Sequence, residues 1–102
     1  MIFIYVPCGS VESAKKVARI LVEKKMAGRV DILPTDTVSR VDGGVREAPG
    51  ATMIVKTIDK HVQGIEEIVR EHHQGDSIAC IATITLYRLN REFKDWLIDA
   101  TS

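Results

Sequence analysis

Apolar and polar positions alternate by twos along 77–87. Ile78, Cys80, Ala82, Ile84 and Leu86 fall on one side, and Ser77, Ala79, Ile81, Thr83, Thr85 and Tyr87 on the other. This predicts a strand covered on one face and half covered on the other. An opening strand over Met1 to Val6 closes at Pro7. The period then changes: Val11, Ala14, Val17, Ala18, Leu21 and Val22 recur at three and four, with Lys15, Lys16, Arg19, Glu23 and Lys24 opposite. That is an amphipathic helix, capped by Ser10 and stopping near Met26 to Gly28.

Arg29 to Leu33 alternate again, and Pro34 marks a bend on an edge strand because it lacks a backbone donor. A polar extension from Thr35 to Val41 runs into Asp42-Gly43-Gly44-Val45, whose paired glycines predict a tight hairpin turn projecting from the body. After an irregular Ala48-Pro49-Gly50, the run from Ala51 to Ile58 predicts a central strand. Val62, Ile65, Ile68 and Val69 form the stripe of a second helix, which opens beside a solvent-facing His61 and ends at His72 and His73. Gln74 and Gly75 turn the chain, and Phe93, Trp96 and Leu97 predict a short terminal helix. The order is βαββαβ plus a C-terminal helix, which predicts an α+β fold: a ferredoxin-like α/β sandwich with an antiparallel sheet and helices on one face. The other face, expected to carry Tyr5 and Ile81, is left to self-association, and a ring-like homotrimer closes such surfaces without a free edge.

Composition narrows the function. At 102 residues the chain is expected to be a single domain, 1–102. Its 14 basic and 14 acidic residues balance, so neither nucleic acid nor an anionic membrane is an expected partner. No run approaches the roughly 18 apolar residues of a membrane span, and the opening strand lacks the features of a signal peptide. Cys8 and Cys80 are too few and too far apart for a disulfide framework, so a reduced, cytoplasmic location is expected.

Candidate chemistry gathers at one end of the sheet. His72, His73 and Asp76 offer imidazole nitrogen and carboxylate oxygen, donors that suit Cu(II), Ni(II) or Zn(II). Adjacent histidines on a helix point about 100° apart and do not readily share one ion; both also suit the negative end of a helix dipole. Cys8 precedes a helix whose amides would lower a thiol pKa, which allows a metal or redox role beside that of a small, partly buried residue. Cys80 reads as core filler on the apolar side of its strand. A small anion could instead be held by the amides near Ser10 with Arg40, Arg46 or Lys56. Tyr87, Phe93 and Trp96 could line a cleft between subunits, and Trp96 and Tyr87 are the candidate interface residues. The Pro7-Cys8-Gly9-Ser10 loop lacks the arginine of an acylphosphatase. With no Ser-His-Asp order and no Walker-type loop elsewhere, no enzyme is expected.

Several segments in order are similar to a known family: Glu12-Ser13-Ala14, Val17 to Glu23, Val30-Asp31-Ile32-Leu33-Pro34, Ile54-Val55-Lys56-Thr57 and Phe93-Lys94-Asp95-Trp96-Leu97. The chain resembles the CutA-like divalent-cation tolerance proteins, small trimeric ferredoxin-like domains. The resemblance implies copper as the leading ion and no catalytic turnover. Two segments depart from the family pattern. Where the family has His-Pro-Tyr-Glu-x-Pro-Glu, this chain has His73-Gln74-Gly75-Asp76-Ser77-Ile78-Ala79, and its hairpin keeps only Gly44 of the usual Tyr-x-Trp-x-Gly-Lys. Aligned on the first helix, the family's copper-associated cysteine falls at Val6, one strand period from Cys8. The rival reading is a regulatory trimer similar to the PII-type proteins, holding a small anionic ligand between subunits.

Overall fold

The computed structural model describes residues 1–73 and 78–102. Strands β1 (Ile2–Cys8), β2 (Arg29–Val41), β3 (Gly44–Thr57) and β4 (Ala82–Thr85) form one antiparallel sheet in the order β2-β3-β1-β4. Helices α1 (Val11–Glu23) and α2 (Val62–His72) connect them, and α3 (Arg91–Ala100) follows β4. This is the α+β, ferredoxin-like architecture that the order of elements predicts.

Strand alternation builds the core. Ile2, Ile4 and Val6 of β1 and Ala51, Met53 and Val55 of β3 are buried on one face. They pack with Ala14, Val17, Ala18 and Leu21 of α1 and Ile65, Ile68 and Val69 of α2. Each fully buried aliphatic side chain contributes about 1.5–3 kcal/mol, so this layer holds both helices against the sheet. Thr57 is polar yet fully buried, and its Oγ1 donates to the Met26 carbonyl at 2.6 Å.

Ser10 caps α1 as its sequence position predicts. Its Oγ accepts from the Ser13 N–H at 3.0 Å, and Ser13 Oγ accepts in return from the Ser10 N–H at 3.2 Å. This reciprocal pair satisfies donors that the first helical turn leaves open. At the other end Lys25 takes the left-handed turn, with φ 59°, and the Met26 and Ala27 amides close on the Leu21 carbonyl at 2.9 and 3.2 Å.

The hairpin is longer and more regular than the sequence predicts. β3 runs unbroken from Gly44, so Ala48-Pro49-Gly50 lies inside a strand. Only Ala51–Thr57 pairs with β1, whereas the residues before it pair with β2 alone. Proline is tolerated there because that part of the strand has an open edge. The arm extends the molecule to 48 Å along its long axis, against 26 and 20 Å across.

The strand before α3 corrects the opening prediction. β4 covers only Ala82–Thr85, and all four residues are exposed. Ala82 sits opposite Tyr5 and Ile84 opposite Phe3, so they occupy the face without helices, while Thr83 and Thr85 share the side of Ile4 and Ile2. Ile81 packs against the core instead of flanking Tyr5. Cys80, predicted as core filler, is exposed. An edge strand that pairs on one side only gives burial little power to sort its two faces.

The terminal helix docks through Leu97, which is fully buried. A Cβ at Gly28 would lie 2.6 Å from Leu97 Cδ1 and 3.0 Å from Trp96 Cζ3, so α3 approaches the start of β2 where no larger residue fits without movement. His61 does not simply face solvent. Its Nε2 lies 3.0 Å from the Thr101 carbonyl, tying the turn ahead of α2 to the end of α3.

Candidate metal and ligand site

Topology decides which candidates can meet. β1 ends where α1 begins, and α2 starts after β3 at the opposite end of the sheet and runs back. Cys8, Ser10, His72 and His73 therefore share one end of the sandwich. Asp76 lies outside the described residues. No group of three or more His, Cys, Asp or Glu side chains that could hold a metal ion occurs among the described residues. The described residues of one chain therefore do not assemble a metal site.

Individual donors differ in readiness. His72 is partly buried, and its Nδ1 lies 2.9 Å from the Ile68 carbonyl. The His73 amide donates to the Arg70 carbonyl at 3.3 Å as α2 ends. Cys8 is partly buried, as one of its two readings expects, but its thiol pKa is raised and not lowered: burial pushes it up, and a weaker opposing pull from the Met53 backbone does not reverse it. Its Sγ donates toward the Val6 carbonyl at 3.5 Å.

The anion candidates are not brought together within one chain. A cleft of about 430 Å³ opens between Gly9–Val11 and the hairpin at Pro34–Asp36 and Pro49–Gly50. It brings Asp36, a carboxylate, to the same opening as the α1 terminus. Lys56 lies toward the opposite end of the sheet, because it pairs with Phe3 while Cys8 pairs with Ala51. Arg40 lies out on the hairpin arm, opposite Val45.

Lys56 is also already engaged. Its Nζ sits 2.7 Å from Asp31 Oδ2, and Arg29 Nε reaches Asp31 Oδ1 at 2.9 Å. The ammonium lies 5.3 Å from the centre of the Phe3 ring and 5.7 Å from that of Phe93. Hydrogen bonds from Lys56 first, then from Arg29, hold the Asp31 carboxyl below the usual carboxylate range. Sequence reasoning missed this cluster. The available signal was the spacing of two between Arg29 and Asp31, which puts both on one strand face.

The interface candidates stand outside the core. Tyr87 is fully exposed, and Trp96 is half-exposed with its ring centre 5.4 Å from that of Phe93. Leu97 is the buried anchor of α3. No helix among the described residues is long and apolar enough to cross a membrane.

These features define a class: a small ferredoxin-like α+β protein with one bare sheet face, a projecting arm and an open end carrying imidazole and thiol groups. Residues 2–100 match the family model of the CutA1 divalent ion tolerance protein, and the chain belongs to that family. It is 34% identical over 95 residues to the divalent-cation tolerance protein CutA of Archaeoglobus fulgidus, covering 93% of this chain and 92% of that one. The Thermus thermophilus CutA is 32% identical over 102 residues, covering 99% and 96%. The solved structure of the Archaeoglobus protein, described as periplasmic, superposes with a TM-score of 0.91 at 32% identity and full coverage of both chains. These relatives are named as tolerance proteins and not as enzymes.

Proposed function

We propose that this chain acts in divalent-cation tolerance as a non-catalytic, cytoplasmic homotrimer that binds copper or a similar divalent transition metal ion reversibly. Membership of the CutA family over residues 2–100 carries the reading, and the imidazoles of His72 and His73 at the end of α2 support it. Imidazole nitrogen favours Cu(II) over Zn(II) in the usual affinity order. The uncovered sheet face supports assembly. Tyr5, Leu33 and Ile84 are each at least 40% exposed on it, an apolar surface that a partner chain would cover.

Calorimetric titration of metal-free protein with Cu(II) and Zn(II), with light scattering on the same sample, tests the proposal. Saturable binding at one site per chain in a particle of three chains supports it. A monomer, or a trimer that binds neither ion, refutes it. In the second case, phosphate and nucleotide screening would address the anion reading, which the separation of Ser10, Arg40 and Lys56 leaves without a site inside one chain.

A further inference from the structure

The connection between β4 and α3 carries charge and aromatic surface that the metal reading does not use. The chain leaves the sheet after Thr85 and enters α3 at Arg91. In between, Leu86 and Leu89 are half-buried, while Tyr87 and Arg88 are exposed, Tyr87 fully so. Lys94 lies one turn into α3, its amide donating to the Asn90 carbonyl at 3.1 Å. Helical side chains lean toward the N-terminus of their helix, so Lys94 leans back toward this connection.

Together these residues form a cleft of about 290 Å³, with Met1, Leu86 and Leu89 as its apolar lining and Tyr87, Arg88 and Lys94 as its polar lining. Its charge is one-sided. No carboxylate lines it, whereas the larger cleft at the start of α1 has Asp36 as its single charged lining residue. Among the described residues neither Arg88 nor Lys94 has an ion-pair partner. Glu92 accepts from Asn90 Nδ2 at 2.9 Å, and Asp59 pairs with the Met1 amino group at 3.5 Å, so neither acid neutralises them. A cleft lined by one sign of charge concentrates its field on a ligand of the other sign, even on a chain whose charges balance.

The lining suits two parts of one ligand. A guanidinium is a planar fork that can grip a phosphate through two parallel hydrogen bonds, and an ammonium adds a point charge. The uncovered Tyr87 ring and the two leucines offer an aromatic and apolar surface that a free phosphate does not use. The volume lies at the small end of ligand sites, which run from about 300 to 1,000 Å³.

We propose that this cleft binds a small phosphate monoester carrying a single aromatic ring, with its phosphate on Arg88 and Lys94 and its ring against Tyr87. The site uses none of Ser10, Arg40, Lys56, His72 or His73. It therefore does not rest on the metal reading, and the failure of either leaves the other standing.

Phenyl phosphate and inorganic phosphate, titrated separately into the full chain in phosphate-free buffer and followed by amide NMR shifts, test the proposal. Saturable shifts centred on residues 86–94 are expected, with phenyl phosphate binding more tightly than inorganic phosphate and both weakening as sodium chloride rises. Arg88→Gln should weaken phenyl phosphate about tenfold, the low end for a hydrogen bond to a charged group, and Lys94→Gln about threefold. Tyr87→Ser should bring phenyl phosphate down to the affinity of inorganic phosphate. All three side chains are exposed, so the variants should fold, which circular dichroism checks. Arg40→Gln, which removes a cation of the hairpin arm, should bind as the parent does.

No saturable shift at millimolar phenyl phosphate would overturn the proposal. So would equal weakening by Arg40→Gln, the mark of diffuse attraction to any cation. Inorganic phosphate that binds as tightly as phenyl phosphate would overturn the assigned ligand class, since the ring would then have no part in the site.

Discussion

Replacing Asp31 by asparagine keeps the shape of the side chain and removes the charge that neutralises Lys56. The Lys56 side chain is only 17% exposed and that of Asp31 35%, so the pair lies between a surface ion pair and a buried one. Surface pairs contribute about 0–1 kcal/mol, and removing one member of a buried pair costs about 3–5 kcal/mol. The aromatic rings beside Lys56 soften its loss of a partner, and solvent reaches Asp31. The expected cost near neutral pH is therefore about 1–2 kcal/mol. With a urea slope of about 1–3 kcal/mol per molar, the midpoint should fall by about 0.3–2 M without a change of slope. Protein concentration must be fixed, since assembly contributes to apparent stability.

Acid gives the same prediction a second edge. Asp31 has a folded pKa below its unfolded one, so its contribution is fully present above the unfolded value and fades as pH falls through the folded value. The gap between the parent and Asp31→Asn should therefore narrow below about pH 4. Arg29 is a useful control, because its side chain is 59% exposed and Arg29→Ala should cost less. An Asp31→Asn penalty no larger than that of Arg29→Ala, or a gap that persists unchanged in acid, would refute the argument.

Further expectations address the helices and thiols. Leu97→Ala should cost about 2–5 kcal/mol and loosen α3, seen as a lower denaturation midpoint and altered Trp96 fluorescence; Gly28→Ala, which crowds Leu97 from the other side, should cost about 1–3 kcal/mol in the same assay. Ser10→Ala removes half of the capping pair and should lower stability by about 1 kcal/mol, read from the thermal midpoint. Because burial raises the Cys8 pKa while Cys80 is exposed, iodoacetamide followed by mass spectrometry should label Cys80 first near neutral pH. Labelling of Cys8 should catch up only as the solution becomes more alkaline.

Features set by short-range chemistry were legible in the sequence. The Ser10 cap, the glycine turn at Gly43-Gly44, the stripes of α1 and α2 and the central place of β3 all follow from a few neighbouring residues. Where long-range pairing decides, pattern alone misled. Pro49 reads as a breaker, yet β3 passes through it because β1 ends at Cys8, opposite Ala51. The segment around β4 alternates cleanly, yet its faces are reversed, since an exposed edge does not use the alternation. Site residues divided in the same way. The placement of His72 and His73 at the end of α2 was predictable, whereas the Ile68 carbonyl on His72, the proton held by Cys8 and the Asp31–Lys56 pair needed coordinates.

The position of β1 also shapes how the chain is made. It is the first strand to be synthesised, yet its sheet partners are residues 51–57 and 82–85. Tyr5 waits for Ala82, and at about 5–20 residues per second that interval lasts about 4–15 s. Both edges of this apolar strand are open until residues 51–57 are made, and one stays open until residues 82–85 follow, so it can meet other nascent chains. Ribosome spacing and chaperone capture of β1 should therefore affect the yield of this protein.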